Sequence, residues 1–225
     1  MKLTITSDIH GYFPKIYPCD IVIIGGDVFP SSIPKTYEAQ CEWHEVVFMP
    51  WVDALPCQHV VLVPGNHDYY WEEIFSGCSD MSGPLPDTSQ KLIVLCNQGV
   101  QLLGLKMYGT PNVPPALSSF AFTRTSEELQ KIFSYIPDNL DILIAHGVPY
   151  GVGNLGVMIK KGTLQDRGMW ELTEAIEKKN IRYVFCGHVH TGSHERVEWR
   201  GKILYNTSYC DKKKMPFYNV LELEI

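Results

Sequence analysis

Hydrophobic residues along this chain fall into short runs, each closed by a polar turn that carries glycine. Leu3–Thr6, Asp20–Ile24, Val60–Val63, Lys91–Leu95, Ile142–Ala145 and Arg182–Cys186 are rich in Val, Ile and Leu. Runs of ~4–8 such residues predict buried β-strands. Between them the apolar positions take helical spacing. Residues 36–52 place Trp43, Val46, Val47 and Trp51 in this way. Residues 126–135 open with Ser126-Glu127-Glu128 and continue with Leu129, Ile132 and Phe133, which predicts a capped amphipathic helix. Residues 166–179 predict another, with Asp166 as N-cap, Met169, Leu172, Ala175 and Ile176 as the buried stripe and Lys178-Lys179-Asn180 as its end. The final stretches Glu195–Arg200, Lys202–Tyr205 and Tyr218–Glu224 predict strands joined by tight turns, one through Gly201.

The chain thus opens with β–α alternation and closes with a hairpin-rich sheet. It has no internal repeat and no linker composition. This pattern predicts one α/β domain over residues 1–225, with two packed mixed β-sheets and helices on the outer faces. Loops 76–90, 110–120 and 147–165, rich in Gly, Pro and Ser, are the candidates for substrate-facing segments.

Composition narrows the function. Of 225 residues, 45% are apolar and 12% aromatic, enough to bury a core without staples. The net charge of −6, with no long run of one sign, argues against a dedicated nucleic-acid or membrane surface. Lys212–Lys214 reads as a solvated turn. The seven cysteines are odd in number, widely spaced and without a CxxC pair, which points to a reducing compartment. Cys96 and Cys186 follow apolar runs and are expected to act as small hydrophobes. No stretch has the length of a signal peptide or a membrane span, so a cytoplasmic protein is expected. Without secretion, the sequon Asn206-Thr207-Ser208 carries no meaning. The sequence sets no oligomeric state.

Five of the eight histidines lie in polar turns just after apolar runs: Ser7-Asp8-Ile9-His10-Gly11, Gly65-Asn66-His67-Asp68, His146-Gly147 and Gly187-His188-Val189-His190. Gly25-Gly26-Asp27 adds a further turn of this kind. Residues after the carboxyl ends of neighbouring strands converge in open α/β sheets. Asp8 with His10, and His188 with His190, can share a direction at i, i+2. Two aspartates, one Asn carbonyl and four imidazoles suit borderline divalent ions, Mn²⁺ first and Fe, Zn²⁺ or Ni²⁺ as substitutes. Asp8, His10, Asp27, Asn66, His146, His188 and His190 are too many ligands for one open catalytic ion and suit two, sharing a carboxylate. Two ions ~3.5–4 Å apart clamp a phosphate and acidify a water between them. His67, superfluous as a ligand, is then free to protonate the leaving oxygen. Taken singly, Asp8 or Asp27 would be a turn former; five such turns in series point to a site.

The series DxH, GGD, GNHD, H and GHVH, running from residue 7 to residue 190, resembles the calcineurin-like metallophosphoesterase superfamily. Gly104–Pro111, Asp141–Gly151, Val184–His190 and Tyr205–Ser208 are similar to its small, uncapped MPPED-like metallophosphodiesterase branch. The resemblance implies a four-layer α/β/β/α sandwich. It implies that Asp8, His10 and His190 hold one metal, that Asn66, His146 and His188 hold the other, and that Asp27 bridges. It places His67 beside the phosphate as acid, and it implies small phosphodiesters, cyclic nucleotides among them, as substrates. Gly26–Ser31 lacks the Asp-Arg pair of the protein phosphatase branch, and no Arg is expected near a metal turn. The competing readings are a phosphomonoesterase or nuclease of the same superfamily, or a non-catalytic scaffold. The last is disfavoured because every ligand position is filled.

Other residues have expected roles outside the metal cluster. Asp68 orients His67 or caps the helix starting near Tyr69. His44 and His59 are structural, and Tyr69-Tyr70-Trp71 packs its helix or lines a nucleobase pocket, the packing role being favoured. His194 and Arg124 lie on loops that could approach the site, while Lys160 and Lys161 are surface charges.

Overall fold

The computed structural model describes residues 1–76, 87–115, 120–160 and 162–225. Cys78, Lys161, the side chain of Lys160 and parts of the three candidate loops lie outside the described residues. In one sheet, β1 (Lys2–Thr6), β2 (Ile21–Ile24), β3 (His59–Leu62) and β4 (Leu92–Val94) run parallel in that order. The last strand, β13 (Leu221–Glu224), lies antiparallel along the free edge of β1. The second sheet has the order β11 (Val197–Trp199), β12 (Lys202–Asn206), β10 (Ile181–Cys186), β7 (Leu140–Ala145), β6 (Leu105–Thr110), β5 (Gln98–Leu102). Its four inner strands are parallel and its two edges antiparallel.

The period of two along each strand sets the layers. Ile21 and Ile23 of β2, Ile142 and Ile144 of β7, and Tyr183 and Phe185 of β10 meet in one cluster between the sheets. Their neighbours Val22 and Ile24 face outward, onto Phe48, Val52, Trp71 and Phe75 from the helical layer. Leu143, Ala145, Val184 and Cys186 face the opposite layer, onto Leu129, Phe133, Leu172 and Ile176. Because both faces of the inner strands are covered, their sequences read as unbroken apolar runs. The result is the expected α/β/β/α sandwich, with two mixed sheets packed face to face and helices outside.

The second helical layer holds α4 (Ser126–Ser134) and α5 (Trp170–Glu177). Thr125, not Ser126, caps α4, in a capping box with Glu128. Asp166 does not cap α5. It ends β9 (Thr163–Asp166), which pairs with β8 (Val157–Lys160), and its carboxylate accepts the Gly151 and Gly168 N–H groups. That hairpin carries no alternating pattern, and none of its described side chains is buried: Leu164 is 70% exposed.

The stretch expected as one helix over 36–52 is α1 (Tyr37–Trp43), a π-helical turn His44–Phe48 and α2 (Met49–Ala54). Gln40, His44, Phe48 and Val52 face inward, while Val46 and Val47 are exposed. The wider turn changes the inward spacing to four, which is why a 3.6-residue reading chose the wrong valines. The C-terminal hairpin turns through Arg200-Gly201, both at positive φ, as the glycine suggested. Leu221–Glu224, however, does not join that sheet but crosses to β1.

Candidate metal centre

Strands β1, β2 and β3 of one sheet and β7 and β10 of the other end at a common edge, and each delivers a candidate turn there. Just past β1 and β2, the Asp8 N–H donates to Gly26 O at 2.8 Å and the His10 N–H to Asp27 O at 2.9 Å. This locks the two turns together. Gly26 has φ +101, and a Cβ there would lie 2.6 Å from His146 Nδ1, so only glycine lets the turns close. Asp8, His10, Asp27 and His188 all adopt left-handed backbone, with φ of 52, 44, 55 and 64°. For residues other than glycine this is strained, and four of seven candidate ligands share it.

The seven side chains converge as two overlapping groups. Donor atoms of Asp8, His10, Asp27 and His190 lie within 4.8 Å of one another. His190 Nε2 is 3.1 Å from Asp8 Oδ1 and 3.4 Å from His10 Nε2. In the other group, Asn66 Oδ1 is 3.0 Å from His146 Nε2 and 2.8 Å from His188 Nδ1. Asp27 stands between the groups, with Oδ2 3.8 Å from His10 Nε2 and Oδ1 3.6 Å from His146 Nε2. His67 Nε2 lies 3.9 Å from Asp27 Oδ2, beside both groups.

The donor set fits divalent cations. His146 Nδ1 lies 2.8 Å from Gly25 O and His190 Nδ1 2.8 Å from Asp211 O, so both carry a proton there and turn Nε2 inward. His146 Nε2 faces the Asn66 carbonyl oxygen in a buried pocket, where Asp27 and Asp8 raise its pKa against the effect of burial. A cation between the two, a proton or a metal ion, satisfies both atoms. The acid–base properties agree. Burial raises the Asp8 pKa, but His190, His146 and His10 bring it well below the usual carboxylate range. Burial also opposes the shift of Asp27, yet His146, His67 and His10 bring it to about 2. Burial lowers His10 and His188 to about 4. For His190 burial is outweighed by Asp8, which raises it to about 9. In the metal-free chain a proton is therefore held where positive charge is wanted.

Groups behind the ligands fix their positions, and sequence reasoning missed them. Asp8 accepts the Ser7 and Ser208 hydroxyls and the His188 N–H. Ser208 belongs to the buried Asn206-Thr207-Ser208 stretch, and the parallel bridge from Ser7 to Ser208 ties the two sheets together. Asp68 neither orients His67 nor caps the helix α3 (Tyr69–Ser76). Fully buried, its carboxylate accepts N–H groups from Gly65 at 2.7 Å and from Asp27 and Val28 at 2.9 Å, which pins the turns after β2 and β3 together. Burial and the nearby Asp27 push its pKa up to about 7.

A cleft of about 420 Å³ opens over Asp27, Asn66, His67, His188 and His190. Val113, Pro114, Phe120 and Met158 form an apolar wall, and Arg167, Lys212 and Lys214 also line it. This corrects two expectations. Lys212–Lys214 is no free solvated turn, because the turn from Asp211 that accepts the His190 proton carries Lys214 to 3.0 Å from His67 Nε2. An arginine does stand near the metal turns: Arg167, brought in by the hairpin β8–β9. The only sequence signal was the run of three lysines. Arg124 is directed elsewhere, onto Glu72 and Thr123 O. His194 stacks on Tyr218, with ring centroids 3.5 Å apart. His44 is buried against Tyr70 and Trp71, the packing role expected for it and for that aromatic run.

A family model described as calcineurin-like phosphoesterase matches residues 1–192. A UPF0046 protein of Caenorhabditis elegans is 25% identical over 96% of this chain and 76% of its own length. Human Metallophosphoesterase domain-containing protein 1 is 26% identical over 88% of this chain, which spans 62% of that protein. Among solved structures, Phosphopantetheinyl Hydrolase (PptH) from Mycobacterium tuberculosis superposes with a TM-score of 0.59 over 99% of this chain and 95% of its own. At 12% identity that likeness shows the fold alone. No helix among the described residues is long and apolar enough to cross a membrane.

Proposed function

The chain belongs to the calcineurin-like phosphoesterase family, and from that premise we propose that it hydrolyses small phosphodiesters, cyclic nucleotides among them, with two divalent metal ions. The observation that carries this reading is the Asp27 carboxylate, which offers one oxygen to each half of the donor cluster. Asp8, His10 and His190 would hold one ion and Asn66, His146 and His188 the other, with Asp27 shared. We propose Mn²⁺ as the working metal. Bound there, the ions would supply Lewis-acid polarisation of the phosphate and a water acidic enough to attack near neutral pH.

The chain's own groups do the rest. His146 and His190, each anchored through Nδ1 to a carbonyl, keep their Nε2 lone pairs fixed toward the cluster. Asp68 holds the backbone of Asp27 and Gly65 in register. His67, beside Asp27 but outside the donor set, protonates the leaving oxygen. The apolar wall of Val113, Pro114, Phe120 and Met158 gives the second organic substituent of a diester a dry surface.

A phosphomonoesterase is the alternative, favoured by Arg167 in the cleft, since a dianion gains more from an added guanidinium. Comparing kcat/KM with Mn²⁺ for bis-p-nitrophenyl phosphate and p-nitrophenyl phosphate separates the two readings, and 2′,3′- and 3′,5′-cyclic nucleotides extend the series. The diester is expected to win. A clear preference for the monoester would overturn the diesterase reading and leave the donor cluster untouched.

A further inference from the structure

Four cations converge on the mouth of a cleft in a protein of net charge −6. Lys214 Nζ lies 3.0 Å from His67 Nε2. Lys35 Nζ sits 4.4 Å over the Phe120 ring, whose edge meets the His67 ring at 5.1 Å. Arg167 and Lys212 line the same cleft. Among the described residues none of the four forms an ion pair with a carboxylate: the acidic partners of the paired lysines and arginines are elsewhere. Among the described residues, Arg167 donates to the neutral Oε1 of Gln165, at 2.9 Å.

Unpaired like charges gathered around one opening repel each other, at a cost no fold needs for packing. Lys214 is also half-buried and, although not glycine, has a φ of +59. It is carried on a turn in which Asp211 accepts the N–H groups of Lys213, Lys214 and Met215. The two metals would neutralise the floor carboxylates and the scissile phosphate between them, which leaves these cations without a partner.

We infer that Lys214 and Lys35 form an anion subsite on the His67 side of the cleft, which takes a second negatively charged group, a phosphate or carboxylate, carried by the leaving portion of the substrate. This rests on the reading of His67 as the group that faces the leaving oxygen. The preferred substrate is then a phosphodiester whose departing alcohol is itself anionic, rather than a neutral nucleoside or lipid alcohol. Arg167 and Lys212 lie further along the wall and attract such a polyanion without selecting it.

The test uses the Mn²⁺-loaded full chain and two methyl aryl phosphates with matched 4-nitrophenolate leaving groups, one bearing an additional ring carboxylate. The carboxylated substrate is expected to win in kcat/KM by about tenfold, the worth of one charge-assisted hydrogen bond. Lys214→Ala and Lys35→Ala should each reduce that ratio, while Lys214→Arg keeps most of it. Calorimetry with the corresponding methyl benzylphosphonates, in which a CH2 group replaces the leaving oxygen, should show the same preference in binding, independent of turnover, and the preference should fade at high salt. Equal rates and equal binding for the two probes would overturn the subsite, as would a Lys214→Ala loss identical for both. Absence of turnover with either probe, alongside a binding preference for the carboxylated phosphonate, would instead remove the phosphodiesterase reading and keep the subsite.

Discussion

Along the floor of the cleft, every candidate ligand sits within four residues of the end of a parallel strand. Most of the floor is also tied from behind, by Ser7, Ser208, Asp68 or a backbone carbonyl. The rim is assembled differently. Lys35, Val113, Phe120, Arg167 and the turn 211–215 come from separate stretches, none of which directly follows β1, β2, β3, β7 or β10. The floor is held to the tolerance that metal chemistry needs. Under the proposed function, selectivity among substrates belongs to the rim.

The sharpest way to break this division is Asp27→Asn. If the floor works as one unit around a shared carboxylate, the variant should bind less than one ion per chain and show no measurable turnover. Elemental analysis showing two ions retained would mean that the halves are independent.

His67→Ala probes the boundary between floor and rim. Both ions should stay, while turnover falls ~10²–10⁴-fold, the usual worth of a positioned acid. The loss should shrink for p-nitrophenolate leaving groups, which need little protonation. Equal losses for good and poor leaving groups would take the acid role from His67.

Asp68→Asn and Arg167→Ala form a pair that sharpens the contrast. Asp68 touches no candidate ligand side chain, yet it holds two ligand turns, so its loss should weaken metal affinity by ~10–100-fold. Arg167→Ala should leave that affinity unchanged and alter KM alone. Competition with a calibrated chelator reads both.

The smallest effect is on stability. Burial lowers His44 to about 4. Between the ordinary pKa of 6.5 and that value the unfolded chain takes up a proton the folded chain refuses, so stability falls as pH drops through this window. For the metal-free protein, His44→Phe should reduce the difference in unfolding free energy between pH 7 and pH 5 by about 1 kcal/mol. The further loss tied to Asp27, between pH ~4 and about 2, should remain. An unchanged difference between pH 7 and pH 5 would place the acid sensitivity wholly on the floor.

The same division explains what could be read from the sequence. The inner strands bury both faces, so their runs stand out, and the polar turns after them mark where the ligands converge. Asp68 was visible as a residue but not as a tie, because its partners, the N–H groups of Asp27 and Val28, lie some forty positions away. Lys214 and Arg167 were misread for a related reason: a run of lysines looks the same whether it faces water or a cleft. The hairpin β8–β9 left no periodic trace, since none of its described side chains is buried; β13 alternates visibly, but nothing in its sequence names β1 as its partner. The π-turn went unseen because spacing rules assume a regular helix.

The left-handed backbone at positions 8, 10, 27 and 188 has a consequence for heredity and engineering alike. Each of these residues sits where glycine would rest more easily, and His10 in addition buries an Nδ1 with no hydrogen-bond partner. A lineage of this chain selected only for resistance to heat would be rewarded for replacing His10 with glycine, and would drift toward a sturdier protein that no longer holds its metals.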